Sequence, residues 1–96
     1  MIMKPQYHLV DVNSNVLLTV KSDNIPKVAE AIKSELTTLL DTQLCTPIGL
    51  CRARQTLSTW NPTEISELLE LNVVGMSVVH HPTAGFTVDS LKVQDI

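Results

Sequence analysis

From Pro26 onward the apolar residues Val28, Ile32, Leu36, Leu39 and Leu40 recur at steps of four, four, three and one. That spacing winds them onto one face of a helix. Lys27, Glu30 and Lys33 lie on another face, and opposite charges three residues apart support the helix. Ser22-Asp23-Asn24 offers capping side chains and Pro26 suits a first helical turn. Pro47 sets the far limit, because the residue before a proline avoids the helical region. A helix with such a wide apolar stripe needs a partner layer to cover it.

The flanking segments supply strands. Tyr7 to Val12 is apolar and β-branched enough for one strand, and Val16 to Lys21 for its return. Asn13-Ser14-Asn15 between them tolerates a tight turn. Val16, Leu18 and Val20 alternate with Leu17, Thr19 and Lys21, so one face is apolar and the other half polar. Val73 to His80 is nearly all apolar, a pattern expected of a strand covered on both faces in the middle of a sheet. His81 to Gly85 reads as a turn and Phe86 to Val93 as a last strand. In that strand Phe86 and Val88 are out of phase with Leu91 and Val93, which predicts a bulge near Asp89-Ser90 on a guarded edge.

The segment from Thr46 to Thr59 supports two readings. Thr46-Pro47 starts a helix well, and Leu50, Ala53, Arg54 and Leu57 keep helical spacing, with Cys45 placed to staple onto Leu50. Cys51, Ala53 and Leu57 also alternate with Arg52, Arg54 and Thr56 as a strand would. The helix is favoured. Asn61-Pro62-Thr63-Glu64 then predicts a capping box, with Trp60 stapled onto Ile65 and a buried face of Ile65, Leu68 and Leu69 ending near Leu71-Asn72. The expectation is an α+β fold in the order ββ-α-(α or β)-α-ββ. Its sheet is antiparallel with four or five strands, and its helices pack on one face.

Composition narrows the class. With 96 residues and 10.6 kDa, residues 1–96 are read as a single globular domain. Hydrophobic residues at 44% against 18% charged exclude a disordered chain. Aromatic residues are only 3%, so Val, Leu and Ile must build the core. Few rings also argue against surfaces that stack on bases or sugars. A net charge of -3 and a pI near 5.4 disfavour general nucleic-acid binding. No secretory signal and no run of membrane-spanning length is seen, and two cysteines are too few for a disulfide scaffold, so a cytoplasmic setting is expected.

The sequence carries few marks of chemistry. Cys45, Cys51, His80 and His81 are the soft-ligand set, but five residues separate the cysteines, wider than structural zinc pairs. Adjacent strand histidines also point to opposite faces. A Cys45–Cys51 disulfide fits only if residues 46–59 are not helical. A nucleophilic cysteine would need a base such as His80 or His8 and an orienting group such as Asp89, and no local signature surrounds either thiol. The alternative is that Cys51 packs as a small apolar residue. Gly49, Gly75 and Gly85 are too scattered for a phosphate loop. A helix-turn-helix over residues 46–71 would place Glu64, Glu67 and Glu70 on its reading helix with no basic residue, and phosphates would repel it.

Those glutamates recur every three residues and are expected to form one acidic ridge, flanked by Arg52, Arg54 and Trp60. The leading expectation is a non-catalytic protein–protein interaction module that binds a macromolecular partner through these six residues. It needs no cofactor, and a homodimer is expected, through an unguarded edge of the first hairpin or through the helical face. The alternatives are a small metal- or ligand-binding domain using Cys45, Cys51, His80 and His81, or a structural subunit of a larger assembly. In size, acidity and lack of a motif the chain is similar in kind to small accessory proteins of phages and mobile elements, some of them inhibitors or regulators. That similarity is compositional.

Overall fold

A computed structural model describes residues 4–42, 46–82 and 93–96. The chain opens with strands β1 (Gln6–Val10) and β2 (Val16–Lys21) and continues through helices α1 (Ile25–Asp41), α2 (Pro47–Thr59) and α3 (Ile65–Leu69). Strands β3 (Ser77–His81) and β4 (Val93–Asp95) complete the described elements. No helix among the described residues is long and apolar enough to cross a membrane.

The fold is α+β, with the three strands β2, β1 and β3 pairing antiparallel. The expected antiparallel sheet of four or five strands is therefore corrected: β4 joins the far side of β2 in parallel, through Thr19↔Val93 and Val20↔Gln94. The sheet order is β3-β1-β2-β4. The nearly all-apolar run was expected to lie mid-sheet, yet β3 pairs with β1 alone among the described strands. Val74 and Gly75 both have positive φ, 56° and 77°, so the run breaks into a turn closed by the Met76 N–H donating to the Val73 carbonyl at 3.0 Å. Strand geometry begins only at Ser77, and Val79 stays 40% exposed.

The hairpin forms as its alternation requires, with Tyr7 opposite Val20 and Leu9 opposite Leu18. The register then slips, since Val10 lies opposite Val16, leaving Leu17 as the extra residue of a bulge. Tyr7, Leu9, Leu18, Val20 and Val78 share one sheet face and join Val28, Ile32, Leu36, Leu40, Ala53, Leu57 and Leu68 of the helices in one core cluster. That core is nearly all aliphatic, as the scarcity of rings demanded. On the other face His8, Thr19 and Gln6 are also buried.

Helix α1 starts where its cap places it: the Asn24 side chain accepts the Lys27 N–H at 3.2 Å. Helix α2 resolves the ambiguous segment. Thr46 Oγ1 accepts the Gly49 N–H at 3.2 Å and Pro47 opens the first turn, so local capping outweighs the strand alternation. The predicted turn at 81–85 and the strand at 86–93 with its bulge fall mostly on residues 83–92, outside the described residues.

Candidate functional site

Two surfaces of this fold hold the residues singled out from sequence. The first runs along α2 and α3. Helix α2 buries Ala53 and Leu57, which turns Cys51, Arg52 and Arg54 outward. Arg54 Nη2 donates to Asp41 Oδ1 at 2.9 Å, tying α2 to the end of α1. Both partners are more than half exposed, so water screens the pair to well under about 1 kcal/mol. Arg52 forms no ion pair among the described residues.

Trp60 ends α2, its N–H donating to the Leu57 carbonyl at 3.3 Å. The indole is half-buried against the core. With Pro26, Glu30 and Lys33 of α1, and with Asn61 and Pro62 beside it, Trp60 lines a cleft of about 300 Å³.

The acidic ridge differs from expectation. Asn61 does not cap α3, and the helix starts four residues later at Ile65 with Glu64 in the extended cap position, φ -129° and ψ 155°. The local contact that goes with this start is Glu67 Oε2 accepting the Thr63 N–H at 2.8 Å, ahead of the helix, while Pro62 is buried. Glu64 therefore stands before the helix, Glu67 within it and Glu70 at its C-cap. All three carboxylates are exposed, but they do not form one row along a helix.

The second surface is the sheet, which separates the histidines. His80 stacks on Tyr7 with ring centroids 4.7 Å apart and planes 20° from parallel. His81 meets His8 edge-on at 4.9 Å. Neighbouring strand positions face opposite sides, so the two pairs lie on opposite faces of the sheet. Burial, then the neighbouring His81, pushes the imidazoles of His8 and His80 below the ordinary histidine range. Cys51 was expected to pack as a small apolar residue, but it is exposed because α2 turns that position outward. Cys45 lies outside the described residues. Among the described residues no three His, Cys, Asp or Glu side chains come together as a metal site would need.

Sequence reasoning missed a third feature. Asp11, Val12 and Leu17 of the hairpin, Leu39 of α1, and Val74 and Met76 of the second turn line an apolar groove of about 370 Å³. The signal for it was a valine inside the polar turn Asp11-Val12-Asn13-Ser14-Asn15. No protein-family model matches the chain, and neither a curated protein nor a solved structure was found to match it.

Proposed function

We propose that this chain is a non-catalytic protein–protein interaction module, a small regulator or inhibitor that acts by binding a macromolecular partner. The contact surface is the α2–α3 side, with Glu64, Glu67 and Glu70 supplying charge, Trp60 an anchor, and Arg52 and Arg54 the flank. The observation that supports this most is the setting of Trp60. A half-buried indole lines a cleft with Glu30 and Lys33, and the exposed Glu64, Glu67 and Glu70 follow it within ten residues of chain, which supports an aromatic anchor with charged groups around it. Rim charges steer a partner of opposite sign and set its orientation more than they add affinity.

The test uses the tagged full chain as bait in extract from its own cells, with the captured proteins quantified by mass spectrometry. A partner held by the wild type is expected to be lost from Glu64→Lys/Glu67→Lys/Glu70→Lys and weakened by Trp60→Ala. Undiminished capture by both variants overturns the assignment. The single tryptophan also lets intrinsic fluorescence report on the cleft when the purified partner is added.

A further inference from the structure

Two turns meet at one end of the sheet, and each carries a valine where turns ordinarily carry polar residues. Val12 is 72% exposed. Val74 has φ 56°, which a β-branched side chain rarely adopts. The turns touch closely, since a β-carbon built on Gly75 would lie 2.5 Å from Val12 Cγ1. The bulge at Leu17 adds a third irregularity at the same place. Val74 and the bulged Leu17 thus stand in the groove wall in irregular backbone, and the exposed Val12 gains the fold little.

The groove also has a polarity. Among the described residues that line it, Asp11 is the one that carries a charge. Its carboxylate accepts the backbone N–H groups of Asn15 and Asn13, each at 2.9 Å, and Asn15 Nδ2 at 3.1 Å. The Asn15 N–H foremost holds the Asp11 carboxyl below its usual range, so it stays ionised. A complementary segment presents an exposed aliphatic side chain with a cation about one helical turn away. Helix α2 has this arrangement: Ile48 is 70% exposed, and exposed Arg52 follows four residues later on the same face.

We infer that a second copy of this chain docks Ile48 of its α2 into the groove between the two turns, with its Arg52 against Asp11. Leu39, which lines the groove, lies in the last turn of α1, and Ile48 lies in the first turn of α2. A two-fold arrangement then repeats the contact, each copy giving one Ile48 and receiving the other. Among the described residues β1 is paired by β2 and β3, while β4 covers the outer side of β2 at Thr19 to Lys21. This interface does not depend on the acidic contact surface, with which it shares only Arg52.

Sedimentation equilibrium of the full chain tests it. The wild type is expected to dimerise, and Val12→Ser and Ile48→Ser, both surface changes, each to weaken the dimer about tenfold with an unchanged circular dichroism spectrum. Arg52→Glu is expected to weaken it as well, while Glu64→Lys/Glu67→Lys/Glu70→Lys leaves it intact. In a background of Cys45→Ser and Cys51→Ser, oxidation of a mixture of Val12→Cys and Ile48→Cys chains is expected to give the mixed disulfide dimer. A wild type that stays monomeric overturns the proposal, as does a dimer indifferent to Val12→Ser and Ile48→Ser. Disulfides joining Val12→Cys chains to each other in place of the mixed product also overturn it. A dimer lost on reversing the glutamates would instead assign self-association to the acidic surface.

Discussion

His8 and Thr19 face each other across β1 and β2, with His8 Nδ1 2.9 Å from Thr19 Oγ1 on the sheet face opposite the helices. His8 is 2% exposed, so its environment favours the neutral ring. Burial lowers its pKa first and the neighbouring His81 adds to that, and His80 is lowered for the same reasons.

Stability should consequently fall on acidification. The unfolded chain binds protons at these histidines near the ordinary value of 6.5, before the folded chain does. The stabilisation is fully present above that value and is lost as pH falls from it toward the folded-state pKa values, below which the loss levels off. Urea unfolding from about pH 7.5 down to about pH 5 should show the midpoint decreasing. His8→Gln, though less stable at neutral pH, should give a shallower decrease. An unchanged slope in that variant would remove His8 from the account.

Gly75 should resist substitution for two separable reasons. Its φ of 77° disfavours any β-carbon, and the added atom meets Val12 Cγ1. Gly75→Ala should cost about 1–2 kcal/mol from the backbone conformation, plus a steric part that Val12→Ala relieves. Urea unfolding of the two single variants and the double variant separates the parts. If Val12→Ala and Gly75→Ala simply add, the close approach carries no energy.

Val74 offers the opposite change. Asn tolerates positive φ better than a β-branched residue, so Val74→Asn should raise monomer stability by up to about 1 kcal/mol despite losing apolar contact. The same change removes a wall of the groove and should weaken self-association in sedimentation. A variant that is less stable would mean that the Val74 contacts outweigh the strain.

Legibility followed the range of the forces involved. The alternation Val16, Leu18 and Val20 gave β2 its bounds, and the valine and leucine spacing with Asn24 gave α1 its start, because both signals lie within a few residues. The acidic residues were visible, but their arrangement was not. Asn61-Pro62 has the composition of a helix start, yet Glu67 satisfies the Thr63 N–H and the helix begins at Ile65. Of the site, Trp60 was singled out as a flanking residue, whereas the cleft it lines with Glu30 and Lys33 required α1 to pack beside it.

The amino-acid order by itself determined the hairpin, the amphipathic α1, the Thr46-Pro47 start of α2 and an aliphatic core, since capping, turn chemistry and side-chain periodicity act over one or two turns of chain. Tertiary structure decided that β1 is central, that β4 runs parallel to β2, and that the run from Val73 breaks at Val74-Gly75. A continuous apolar run carries no register and marks no turn. Pairing partners and the positive φ of Val74 arise only when distant segments compete for the same buried sheet, and so does the groove where the two turns meet.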